Sequence, residues 1–325
     1  MSAQKVMRRI MIVRSTGMPQ ENITQLESLF KSQAELVVPD DKKESIFGKI
    51  AGIHALIGCP RPLFSNEIVA KAGKELTWIH VPGAGCEEFL IPKVVESKIT
   101  LTNGKIIQGP SVSDHAVALL LCLSRNLNYV LRESTAKMPR PTELRGKTAL
   151  VIGCGGIGTL IAEKVAALGM KVMGVTPEYV PLLSMWEKLF APHQLLEALP
   201  LADVVFMSAP VTPLTRKVMG AKEFAAMRKT AYFINVSRGE TVDTDALADA
   251  LRKGQLAAAG LDVTIPEPLP ADHPLRKMVN VVVTPHIAGP SDKNRERSFI
   301  LIKSNIERFL NDRPLINVVN KKLGY

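Results

Sequence analysis

Short apolar runs, each about the length of one strand, alternate with helix-length segments along nearly the whole chain. KVMRRIMIV, AELVVP, HALIG and TWIHV are separated by helical patterns around residues 23–32, 43–50 and 65–73. That rhythm indicates β-α-β units and parallel sheets, hence an α/β fold.

A second run follows Glu143-Leu144-Arg145-Gly146-Lys147, with the strand candidates TALVIG, KVMGV, DVVFMSA, YFINV, LAAAGLDV and NVVVTP. Ahead of it, Gly109-Pro110-Ser111-Val112-Ser113-Asp114 reads as a serine N-cap for the helix HAVALLLCLSRNLNYVLRE, which is apolar around most of its circumference and should be buried between layers. A long helix over residues 291–310 and a tail, RPLINVV, that could form an edge strand complete the pattern. A chain of 325 residues exceeds a usual single core. The expected organisation is a nucleotide-binding domain, residues 109–285, inserted into a smaller domain built from residues 1–108 and 286–325.

Composition narrows the function classes. The hydrophobic fraction is 46% and no uninterrupted apolar run approaches the ~18–20 residues of a membrane span, which favours a soluble, cytoplasmic protein with no membrane role. The first residues read as a strand rather than a secretion signal. Cys59, Cys86, Cys122 and Cys154 show neither C-x-x-C spacing nor a dense framework, so free thiols are expected. The net charge of +10 comes from scattered Lys and Arg without an aromatic-interleaved basic run, which argues against nucleic acid. It leaves either a weak attraction for anionic small molecules or a merely solvated surface. His54, His80, His193 and His273 have no metal-ligand spacing, so no metal is expected.

Gly153-Cys154-Gly155-Gly156-Ile157-Gly158 gives G-x-G-x-x-G starting at the last residue of TALVIG and directly before the helix TLIAEKVAALG. The glycines serve separate purposes. Gly153 permits the tight turn, Gly155 lets the backbone approach a pyrophosphate, and Gly158 allows close helix–strand packing. The helix N-terminus offers free N–H groups to the negative charge. Thr176, with Pro177 and Glu178 after it, stands where an acid would hold the ribose hydroxyls of NAD, and no Arg follows to grip the 2′-phosphate of NADP. Either cofactor is compatible, with NAD slightly favoured and Glu178 as a substitute acid.

Three further segments place polar residues at the ends of apolar strands: Asn235-Val236-Ser237-Arg238-Gly239, Gly260-Leu261-Asp262 through Glu267-Pro268-Leu269, and Thr284-Pro285-His286-Ile287-Ala288-Gly289. Strand C-termini are where doubly wound sheets bind ligands. Together with PGAG, SDHAVALLL, ELRGKTALVIGCGGIG, APVTPLTR and NVSRGETVDTDAL, these make residues 75–315 closely resemble the D-isomer-specific 2-hydroxyacid dehydrogenases, most nearly the glyoxylate and hydroxypyruvate reductases.

The resemblance implies a Rossmann-type domain within a flavodoxin-like substrate domain, a homodimer, and an NAD(P)-dependent oxidoreductase. The reaction would move a hydride between nicotinamide and C2 of a small 2-oxo or 2-hydroxy acid. It implies Arg238, Glu267 and His286 as the catalytic set. A 2-oxo acid needs a fork-shaped cation for its carboxylate, a proton source at the carbonyl oxygen and a partner that keeps that source charged; Arg238, His286 and Glu267 supply these in turn. It further implies Gly83, Ala84 and Gly85 as substrate-binding backbone, and cofactor contacts from Gly153, Gly155, Gly156, Ile157, Gly158, Thr176, Pro210, Val236, Ser237, Asp262, His286 and Ala288. Asp262 has a structural hydrogen-bonding role as its alternative, and a buried helix in a monomer is the alternative to the dimer. The sequence departs from the family's usual pattern at Cys86-Glu87-Glu88 and in the short linker before ELRGK, which leaves the identity of the acid open. A dinucleotide-sensing, corepressor-like interaction protein is the rival reading on the same fold.

Overall fold

A computed structural model describes residues 7–14, 18–177 and 185–325. The chain forms two compact units, Met1–Gln108 with Ser291–Tyr325, and Gly109–Pro290. The chain crosses between them after Gln108 and after Pro290, against residues 108 and 285 in the division drawn from the sequence. The backbone of His286, Ile287 and Ala288 hydrogen-bonds to Asp262, which keeps this stretch with the second unit.

In the first unit β1 (Arg8–Ile12), β2 (Ala34–Val37), β3 (Ala55–Ile57), β4 (Trp78–Val81) and β5 (Thr100–Asn103) form a parallel sheet in the order β2-β1-β3-β4-β5. This is the flavodoxin-like order. Alternate side chains of β1 feed opposite faces, as a period of two requires. Met11 joins Ile46, Ile50 and Ile68 on one side, while Ile10 and Ile12 join Leu26, Ile302 and Ile306 on the other. Both faces are covered along Ile10-Met11-Ile12, which is why that half of the strand is apolar, whereas Arg8 and Arg9 at its start are only half-buried.

The second unit holds β6 (Thr148–Ile152), β7 (Lys171–Val175), β8 (Trp186–Phe190), β9 (Val204–Met207), β10 (Tyr232–Asn235), β11 (Ala258–Leu261) and β12 (Val281–Val283). Their order, β12-β11-β10-β9-β6-β7-β8, is the doubly wound Rossmann arrangement, with its topological switch between β6 and β9. Val205 and Met207 of β9 face one core with Phe224 and Leu247, whereas Val204 and Phe206 face another with Leu120, Ile161 and Val165.

Several local expectations change. β8 has no counterpart among the strands expected from sequence, because WEKLF puts two charged residues mid-strand; these are exposed, as an edge strand permits. The long helix runs from Lys105 to Ser124 and carries Pro110 inside it, so Ser111 and Ser113 are helical rather than capping. Their hydroxyls donate instead to the Gly289 and Pro110 carbonyls. This helix has the length and composition to cross a membrane, but it buries a stripe through Val112, Ala116, Leu119, Leu120 and Leu123 in the second unit's core. Ala118 is exposed and Val117 and Leu121 are half-buried, so the helix is not enclosed on all sides. The final helix is Asn294–Leu310, and the tail makes an isolated antiparallel bridge, Thr102 with Val318, in place of an edge strand.

Candidate active site

Arg238, Asp262 and His286 follow β10, β11 and β12, which are adjacent and parallel, so all three emerge at one edge of the sheet. The turn after β10 is tied by its own side chains. Asn235 Nδ2 donates to the Arg238 carbonyl at 3.2 Å, Thr241 Oγ1 donates to the same oxygen at 2.8 Å, and Asn235 Oδ1 accepts from the Ser237 amide and hydroxyl. Arg238 itself is half-buried and one guanidinium nitrogen donates to the Ser237 carbonyl at 2.8 Å. At Gly239 a Cβ would collide with the Thr264 carbonyl, so only glycine lets this turn approach the segment that carries Glu267.

His286 Nδ1 and Glu267 Oε1 are 2.6 Å apart, a charge-assisted contact that orients the imidazole. Both side chains are nearly half exposed, so the ring has one nitrogen engaged and an open side. The backbone at His286 is left-handed, with φ 55°, a conformation that costs a non-glycine residue roughly 1–3 kcal/mol unless its surroundings enforce it. Asp262 enforces it. Its carbonyl accepts the His286 amide at 2.9 Å, Oδ1 accepts the Ile287 amide at 3.0 Å, and Oδ2 accepts the Ala288 amide at 3.0 Å. Thr284 Oγ1 donates to Oδ1 at 2.6 Å, and His115 Nε2 stands 3.4 Å from the same oxygen. Burial raises the Asp262 carboxyl, but the hydrogen bonds from His115, Thr284, Ile287 and Ala288 outweigh it and bring the pKa down to about 2.

The glycine turn after β6 meets a steric demand at two of its positions. Gly153 has φ 94° and a Cβ there would lie 2.6 Å from the Ala209 Cα; a Cβ at Gly158 would strike the Gly153 carbonyl. Ser208 Oγ donates to that carbonyl at 2.8 Å, joining the ends of β6 and β9 at the switch point. At Gly155 and Gly156 a Cβ would meet no atom within 4 Å, so nothing in the fold demands glycine there. Such glycines fit a backbone kept bare for a ligand, at the start of the helix Gly156–Ala167. Thr176 closes β7, its amide donating to the Phe190 carbonyl at 3.0 Å, and Pro210 follows Ala209 beyond β9. Glu178, the suggested substitute acid, lies outside the described residues.

Residues 117–288 match the model for the NAD-binding domain of the D-isomer specific 2-hydroxyacid dehydrogenases. The chain belongs to that family. It is similar to D-3-phosphoglycerate dehydrogenase of Methanocaldococcus jannaschii, 31% identical over 86% of this chain, which spans about half (54%) of that protein's length. It is also similar to glyoxylate reductase of Thermofilum pendens, 29% identical over 91% of both chains. Among solved structures, a D-isomer specific 2-hydroxyacid dehydrogenase from Xanthobacter autotrophicus, in complex with NADPH and MES, superposes with a TM-score of 0.79 at 25% identity, covering 98% of this chain and 99% of that one.

Family membership and the bare turn agree on a nicotinamide dinucleotide as the cofactor class. In the first unit, Gly83-Ala84-Gly85 follows β4 after Pro82 and is held by Asn103, whose Nδ2 donates to the Ala84 carbonyl at 2.7 Å, while the Gly104 amide donates to the Gly83 carbonyl at 2.8 Å. Among the described residues no group of three or more His, Cys, Asp or Glu is placed to hold a metal ion. All four cysteines are free, and burial pushes the Cys59 and Cys154 thiols up to about 12. Sequence reasoning missed His115. Its signal was a lone polar ring inside the apolar helix SDHAVALLL, visible only as an exception to the pattern.

Proposed function

We propose that the protein reduces a small 2-oxo acid such as glyoxylate or hydroxypyruvate, and in reverse oxidises the 2-hydroxy acid, with NAD(H) slightly favoured over NADP(H). The observation that carries this is the 2.6 Å His286–Glu267 pair on the sheet edge that also presents Arg238. Gly153, Gly155, Gly156, Ile157 and Gly158 would hold the dinucleotide, which would supply or accept the hydride. Pro210, Val236, Ser237, Asp262 and Ala288, at or after the strand ends, would be further contacts for it.

In this reading Arg238 holds the substrate carboxylate through two parallel N–H bonds and draws charge from the carbonyl. His286 gives a proton to the carbonyl oxygen as the C2–H bond forms, and Glu267 keeps the ring aimed until then. The amides of Gly83, Ala84 and Gly85 are further donors to the carboxylate. In the oxidative direction the neutral imidazole removes the hydroxyl proton. Metal ions have no part in the scheme.

Steady-state rates with glyoxylate, hydroxypyruvate, pyruvate and larger 2-oxo acids, each with NADH and NADPH, test the proposal. Turnover of the small acids supports it; cofactor binding without turnover of any of them refutes it. We also propose a homodimer in the cytoplasm. The second unit leaves Leu127, Val130 and Leu131 exposed on one short helix beside the partly covered long helix, an apolar surface that a second copy would bury.

A further inference from the structure

We propose that His115 is a positioning residue for the acid–base histidine, acting through Thr284 and Asp262. The inference rests on the reading that His286 is the acid–base group.

His115 lies on the long helix, far in sequence from the His286 segment, yet its Nε2 is 2.9 Å from Thr284 Oγ1. A threonine hydroxyl has one proton, and at 2.6 Å from Asp262 Oδ1 that proton is committed to the carboxylate. The oxygen facing His115 can then only accept, so His115 carries its proton on Nε2 and donates it. The same N–H is 3.4 Å from Asp262 Oδ1. Donor, hydroxyl and carboxylate thus form one directed chain, 18% exposed at His115 and 2% exposed at Asp262.

Asp262 has no freedom left to take another orientation. Oδ1 faces Thr284 and the Ile287 amide, and Oδ2 faces the Ala288 amide. These bonds hold the left-handed backbone at His286, and that backbone sets the direction in which the imidazole leaves the loop. Without the His115 donor the Thr284 hydroxyl loses its second partner and Asp262 Oδ1 loses the N–H beside it, so the outer end of the chain that holds the carboxylate is loosened. Misplacing a proton donor by a fraction of an ångström lowers the rate of the chemical step more than it weakens binding of the cofactor.

The test uses the full-length protein, NADH, and glyoxylate or hydroxypyruvate, whichever the wild type turns over faster. His115→Leu fills the space without a donor, and His115→Gln returns an N–H to about the place of Nε2. The expected result is a roughly tenfold or greater loss of kcat in His115→Leu, with the NADH Kd changed by less than about threefold, and recovery to within about threefold of wild type in His115→Gln. Amide exchange at Ile287 and Ala288 should quicken in the Leu variant and not in the Gln variant. Wild-type kcat in His115→Leu, equal losses in Leu and Gln, or a loss confined to NADH binding would each overturn the proposal. His286→Ala, measured in parallel, separates the two readings. If it is inactive while His115→Leu is normal, only the positioning role falls; if it keeps wild-type kcat, the acid–base reading itself falls.

Discussion

Replacing Asp262 by Asn should reduce stability by an amount that depends on pH in a defined direction. Folding lowers the Asp262 carboxyl from 3.8 to about 2, since four donors converge on a group with a 2% exposed side chain. At about 1.36 kcal/mol per pH unit, that difference is about 2 kcal/mol of native stability at neutral pH. The folded value is depressed, so this stability is fully present above the unfolded value and is lost as pH falls through the folded one. At pH 3 about 1 kcal/mol of it should already be gone. Asn adds a loss that does not titrate, because its NH2 would face the Ala288 amide or the Thr284 hydroxyl and leave a buried donor unmet, at about 1–3 kcal/mol. Urea unfolding followed by tryptophan fluorescence is a suitable assay, with Trp186 reporting on the second unit and Trp78 on the first. The gap between wild type and Asp262→Asn should be constant from about pH 5 to 8 and narrow below about pH 4. A gap that stays constant or widens on acidification would refute the claim that the four hydrogen bonds stabilise the ionised carboxylate.

Arg238→Ala should lower kcat/KM by about 10² to 10³ while NADH binding, measured by fluorescence, stays near wild type; near-normal turnover would remove Arg238 from the site. Glu267→Gln should lower kcat of the reductase reaction about tenfold or more, because the 2.6 Å contact orients the imidazole, while cofactor affinity holds. Wild-type kcat would mark Glu267 as a solvated loop residue. Thr176→Asp should weaken NADPH use at least ~10-fold relative to NADH by setting a carboxylate against the 2′-phosphate; an unaltered ratio would mean that the end of β7 does not face the ribose.

The elements that could be read directly were those with strong local signals. The apolar strand runs are buried on both faces, as at Ile10, Met11 and Ile12, and the unbroken apolarity that made them readable is a consequence of that burial. The glycine turn was legible by its spacing alone; the fold itself demands glycine at Gly153 and Gly158 and leaves Gly155 and Gly156 open. Weaker signals misled. The serines near Pro110 resemble a cap until the helix is seen to begin at Lys105, and β8 hides because an edge strand tolerates the charges that a central one excludes.

By itself, the sequence determined the α/β class and the family, since both depend on periodicity, spacing or the order of short motifs. Only the tertiary structure decided which distant groups meet. The 2.6 Å contact between Glu267 and His286, the left-handed backbone at His286, and the chain from His115 through Thr284 to Asp262 join residues separated by 19 to 169 positions. A hydrogen bond depends on distance and angle in space, and no local pattern in the chain encodes either until parallel strands bring their ends to one edge of the sheet.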